Sequence, residues 1–144
     1  MTPEQVERVQ SSFSKVEPIA EQAAVMFYDR LFEQNPELRA LFGDNMRRQG
    51  LMLMQALSLA VKNLHQPDAI MEPLQAMGRR HLVYGVKREH YPMVGAALLW
   101  TLEQGLGDDF DADTREAWAQ AYDLLATVMC EAAERTPQTA SAVG

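Results

Sequence analysis

The run Ile70–Tyr91, IMEPLQAMGRRHLVYGVKREHY, constrains this chain more than any other stretch. Ile70, Leu74 and Met77 step by four and three, the period of one face of a helix, and the next step of four lands on His81. Gly85 stands where such a helix can stop. Arg79 and Arg80 fall off the stripe and can reach solvent. An imidazole carried on an inward stripe needs a partner for its nitrogens: a backbone carbonyl, a carboxylate or a metal. A histidine near a helix C-terminus is also favoured by the helix dipole. On this stripe alone, a satisfied core or helix-end histidine is therefore the ordinary reading.

The rest of the chain narrows the setting. At 144 residues it makes one domain, able to bury about two-thirds of its unfolded surface. It is 47% hydrophobic, yet no run of about 18 apolar residues exists, so no membrane span is expected. The start, MTPEQVERVQ, is polar and does not resemble a signal peptide. Cys130 is the only cysteine, so no intrachain disulfide can form, which fits a reducing, cytoplasmic setting. It sits within an apolar helical pattern and reads as core. A net charge of −7 argues against a nucleic-acid binder, which shows a basic face. The pairs Arg47–Arg48, Arg79–Arg80 and Lys87–Arg88 read as solvated helix faces that can at most meet a small anion.

No sustained alternation or hairpin turn marks a strand, and the spacing predicts about seven helices. Thr2-Pro3-Glu4-Gln5 opens the first with a capping box, and Val6, Val9, Phe13 and Val16 are its stripe. Pro18 interrupts it and opens a second, carrying Ile19, Ala23, Met26, Phe27, Leu31 and Phe32, with Tyr28 beside the stripe. Asn35-Pro36 caps a short third helix ending at Phe42. A long helix from about Met46 to Leu64 buries Leu53, Leu57, Ala60, Val61 and Leu64, and Gln49 lies on that face one turn nearer the loop. The His81 helix follows, then one from about Glu89 or Tyr91 to Gln104, and a last from Asp113 with Trp118, Tyr122, Leu125, Val128 and Met129 inward. Residues 1–134 are expected to form the domain, and 135–144 a disordered tail.

Conventional catalytic sets are missing: no zinc spacing, no glycine-rich phosphate loop, no nucleophile elbow. Glu103, Glu131 and Glu134 are single carboxylates. What remains is one inward histidine, one inward glutamine and one inward tyrosine, among Leu41, Phe42, Leu53, Val94 and Leu98. A large flat apolar cofactor with a central metal needs such a set: an axial nitrogen, an apolar sleeve, and a few polar groups opposite.

At these residues the chain resembles a bacterial single-domain globin, similar to the globin domain of flavohaemoglobins. The resemblance covers roughly residues 2–134. It rests on FYDRLFEQNPELRALF (Phe27–Phe42), the Gln49-to-Leu53 turn and GRRHLVYGVKREHYPMVG (Gly78–Gly95). The combination of FY-x-x-LF, P-E-x-R-x-LF, RH-x-x-x-GV and HYP-x-VG is highly specific, and the spacing of 32 residues from Gln49 to His81 agrees with the family's distance between distal glutamine and proximal histidine.

The resemblance implies a globin fold around haem b, with His81 as proximal ligand of the iron. Phe42 matches the phenylalanine wedged against the haem, with Leu41 beside it. Tyr28 and Gln49 match the distal pair that donates hydrogen bonds to bound dioxygen, and Leu53 the apolar residue limiting space over the iron. Val86, Tyr91, Val94 and Tyr122 match residues lining the haem's proximal and inner side. Arg80 is a candidate for a haem propionate, with Arg47 or Arg48 as alternatives. One departure stands out: the family's glutamate on the last helix corresponds here to Ala133, with Glu131 and Glu134 offset. The push that such a carboxylate gives the proximal histidine is then in doubt, and peroxidase-like activity should be weaker. The implied function is reversible binding of dioxygen, for storage or transport, with nitric oxide and carbon monoxide as further ligands. The alternatives are nitric oxide dioxygenation, in which turnover needs an external flavin reductase because no reductase domain is expected on this chain, and gas sensing through a partner.

Overall fold

A computed structural model describes residues 1–135. Among them the secondary structure is helical, without strands. There are six α-helices, α1 (Pro3–Val16), α2 (Ala20–Gln34), α3 (Met46–Lys62), α4 (Met71–Val83), α5 (His90–Leu106) and α6 (Ala112–Arg135), with a short 3-10 segment in every connection except that between α4 and α5. The expected third helix is one of these, a 3-10 segment over Pro36–Leu41. The expected tail lies outside the described residues except for Arg135, which ends α6.

The local signals act as their chemistry dictates. The Thr2 hydroxyl accepts from the Gln5 amide at 3.1 Å while the Gln5 side chain accepts from the Thr2 amide at 3.0 Å. Pro18 lies in a 3-10 turn, Glu17–Ile19, that redirects the chain between α1 and α2. Asn45 caps α3 by accepting from the Arg48 amide.

The core is the meeting of the apolar stripes. Val9 and Phe13 of α1, Phe27 and Leu31 of α2, Leu98 and Leu102 of α5 and Trp118 of α6 are all buried together. Trp118 brings an N–H into this apolar centre, and Ser12 accepts it at 2.8 Å, which ties α6 to α1. A second cluster, Ala60, Ile70 and Leu74, packs against Leu125 and Val128. Helix α4 lies on α6, α2 on α5 and α3, and α1 on α6. Cys130 is a buried free thiol. None of the described helices is long and apolar enough to cross a membrane.

Gly78 fixes how α4 meets α6. A Cβ there would lie 2.7 Å from the Met129 Cα, so only glycine lets the two backbones touch. His81 is three residues further along the same helix, so this contact sets its height.

Candidate functional site

The end of α4 presents His81. Tyr84 is the C-cap, and Gly85 takes φ +96°, a conformation that glycine adopts without penalty. The Gly85 amide then donates to the Leu82 carbonyl at 3.0 Å and the Val86 amide to the His81 carbonyl at 2.9 Å. These two bonds are a Schellman motif, and one of them ends on the backbone of His81 itself. The side chain is held too. A ring nitrogen, Nδ1, lies 2.7 Å from the Met77 carbonyl, which only accepts, so Nδ1 carries the proton. Nε2 is left with its lone pair. Burial, with Arg80 as a smaller cause, holds the imidazole pKa below its ordinary value against the opposing effect of the Met77 bond. The group is thus a neutral imidazole with one fixed tautomer, the form that ligates metals.

His81 lines an apolar cavity of about 180 Å³. Tyr28, Leu41, Phe42, Leu53, Val86, Tyr91, Val94 and Tyr122 line it as well, so nine of the residues singled out in the sequence converge on one space. Leu74 and Met77, on the His81 stripe, complete one wall, and Leu125, Ala126 and Met129 of α6 another. The sequence reading places Leu125 and Met129 inward without assigning them to the site and does not single out Ala126. It also missed His90, which lines the cavity from the first turn of α5.

The same cavity is lined by a phenol from α2. Tyr28 is 8% exposed and held by aromatic neighbours, edge-on to Phe27 at 4.9 Å and to Phe42 at 5.4 Å between ring centroids. Its hydroxyl donates to the Gln49 backbone carbonyl at 3.3 Å. Burial pushes its pKa to about 12, so it stays a proton donor well into alkaline solution. The same ring also lines an outer groove between α2 and α3, with Ala24, Val25, Phe32, Gly50 and Leu51.

On the inner side, Gly95 makes room for the ring of Tyr122, since a Cβ would stand 2.8 Å from its Cε2. The Tyr122 hydroxyl donates to the Tyr91 carbonyl at 2.7 Å. Burial, and then the neighbouring Tyr91 and Cys130, raise the Tyr122 pKa, and burial raises that of Tyr91 to about 12.

Two expected residues stand apart. Gln49 is half-buried in the first turn of α3, and what it brings to Tyr28 is its carbonyl, while its side chain is not among those lining the cavity. Arg80 is exposed and outside the lining. Its alternatives are exposed too, with Arg47 3.8 Å from Glu21. Glu131 and Glu134 both turn outward, into ion pairs with Arg135 and Arg88. Neither carboxylate is among the groups hydrogen-bonded to His81.

The donor set suits a metal that brings most of its own ligands. Among the described residues no three His, Cys, Asp or Glu converge to hold a bare ion. A single unprotonated nitrogen in an apolar cavity that a phenol also lines fits a planar metal cofactor.

Comparison with known proteins places these features. The profile of the family described as Globin matches residues 25–129. The chain is 34% identical over 131 residues to a flavohemoprotein of Chromobacterium violaceum, covering 85% of this chain and 32% of that one. It is 32% identical over 124 residues to the flavohemoprotein of Bacillus subtilis, covering 84% and 31%. It therefore spans about a third of the length of these relatives. Among solved structures it is similar to a bacterial globin from Campylobacter jejuni, with TM-score 0.84 and 27% identity over 93% of this chain and 97% of that one. It is also similar to an engineered carbene transferase from Rhodothermus marinus, a candidate nitric oxide dioxygenase, with TM-score 0.86 and 26% identity over 99% and 98% of the two chains.

Proposed function

The chain belongs to the globin family, and we propose that it holds haem b in the cavity beneath His81 and serves to bind dioxygen reversibly, for storage or transport. The observation that carries this reading is the fixed tautomer of His81, whose Nδ1–H is taken up by Met77 and whose Nε2 is left as a ligand in an apolar cavity. When bound, haem would supply an iron that His81 could hold and that could take up a diatomic gas such as dioxygen, nitric oxide or carbon monoxide.

The chain's own groups then have separate tasks. His81 holds the metal at a height set by α4. Leu53, Phe42 and Val94 keep water out, which strengthens every hydrogen bond made inside. The Tyr28 hydroxyl, held by the Gln49 carbonyl, would be the donor offered to a gas and would favour ligands that accept hydrogen bonds. Gln49 assists if its side chain swings inward.

A second reading, nitric oxide dioxygenation, is favoured by the flavohemoprotein relatives and by the Rhodothermus marinus neighbour. It needs electrons from a reductase, here proposed to be an external flavin enzyme in the cytoplasm. The test is an absorption spectrum of haemin-reconstituted protein, reduced and then exposed to air, with wild type beside His81→Ala. A stable oxy spectrum lost in the variant is expected, and no haemin uptake by wild type overturns the proposal. Adding NADH and a general flavin reductase separates the two readings: sustained consumption of nitric oxide favours the dioxygenase, and a single stoichiometric uptake favours the carrier.

A further inference from the structure

We propose that His90 is the residue that grips the carboxylate edge of the cofactor, through its Nε2–H. This rests on the haem reading above and assigns a part of the site that Arg80 was expected to fill. Haem b is apolar except for two carboxylates, so the cavity must offer a donor where those reach its rim. Five polar residues line the cavity: Tyr28, His81, His90, Tyr91 and Tyr122. The hydroxyls of Tyr28 and Tyr122 are already given to backbone carbonyls and His81 is the ligand, which leaves the Tyr91 hydroxyl and the His90 ring, and of these two the ring is the one that a hydrogen bond orients. His90 is half-buried, next to the exposed turn Lys87–Glu89, which is where a rim lies. The Lys87 amide donates to its Nδ1 at 2.9 Å. Accepting there, Nδ1 carries no proton, so the ring's proton is on Nε2. Among the described residues that N–H has no partner. A turn held by the imidazole's other nitrogen thus aims a committed donor at the cavity's edge, and a neutral donor to a carboxylate makes one of the stronger hydrogen bonds a protein has.

The measurement is the rate at which reconstituted protein gives up its cofactor to an excess of an apo-globin acceptor. Wild type, His90→Phe and His90→Gln are each loaded with haemin and, separately, with haemin dimethyl ester, which has no carboxylate. Loss of haemin from His90→Phe is expected to be about tenfold faster than from wild type, as for a lost hydrogen bond to a charged group. His90→Gln, whose amide can accept from Lys87 and still donate, is expected to restore most of the difference. With the dimethyl ester the three rates should coincide. Equal haemin rates for wild type and His90→Phe overturn the proposal, as does an acceleration that the ester shows equally, which would mean that His90 only braces its turn. If wild type takes up haemin and these differences are missing, His90 fails and the haem reading stands; if wild type takes up none, both fail.

Discussion

Tyr28 and His81 line one cavity, and each makes a hydrogen bond to a backbone carbonyl, Gln49 for the phenol and Met77 for the imidazole. The two bonds differ in consequence. At 3.3 Å the Tyr28 bond is long and easily given up, whereas at 2.7 Å the His81 bond is short and fixes a tautomer. Replacing Tyr28 with Phe should speed dioxygen release from the reconstituted protein about tenfold or more, read by stopped-flow displacement with carbon monoxide. An unchanged rate removes Tyr28 as a donor. His81 makes a prediction for acid. Its folded-state pKa is lowered, so the unfolded chain takes up a proton first as the pH falls. Stability of the cofactor-free protein should therefore be full above about pH 6.5 and decline below it, with His81→Leu flattening that limb of the urea-midpoint profile. At this scale the sequence was readable where a face was the question and opaque where reach was the question. Helical spacing placed His81 and Tyr28 inward. It could not say that the cavity stops short of the Gln49 side chain. Arg80 follows from the same geometry: one residue on a helix turns the chain by a quarter or more, so the neighbour of an inward residue faces out.

Among the elements, α4 and α6 form the pair on which the site depends. Their backbones touch at Gly78 and Met129. Gly78→Ala sets two effects against each other. The better helix former contributes about 1 kcal/mol, while overpacking costs about 1 to 3 kcal/mol and is at its worst against backbone, which cannot rotate away. The variant should be less stable in urea denaturation despite its higher helix propensity, and its cofactor should exchange faster because His81 rides on the displaced helix. A variant as stable as wild type would show that α4 and α6 can separate at no cost. The helices themselves were largely legible, because caps, prolines and apolar periods are local. The 3-10 form of Pro36–Leu41 was not, since six residues between two long helices are shaped by where their ends must go. The close approach at Gly78 was hidden for another reason: a glycine inside a helix reads as a weakness until its neighbour across the interface is known.

Taken whole, the molecule shields three phenols partly or wholly from water, those of Tyr28, Tyr91 and Tyr122, all with raised pKa. An unfolded chain would release their protons near pH 10, while the folded chain holds them to about 12 or beyond. The unfolded state therefore binds fewer protons in that window, and stability should fall as the pH rises through it. A urea midpoint that is level up to about pH 10 and then drops is expected, with Tyr122→Phe, whose wild-type phenol is among the deeply buried ones, showing a shallower drop. A profile level to pH 12 would mean that these phenols are reached by solvent. The sequence announced an all-helical chain and the residues of a pocket, but the pocket's inner wall is made by a helix distant from His81 along the chain, and distance along the chain is what local patterns do not carry. That distance has a consequence in time. A ribosome delivers His81 before it delivers Tyr122, Leu125 and Met129, so for a stretch of synthesis the ligand exists without the wall that encloses it. The nascent chain has no chamber to fill until α6 has emerged, so loading follows the making of that helix and cannot guide the helices that precede it.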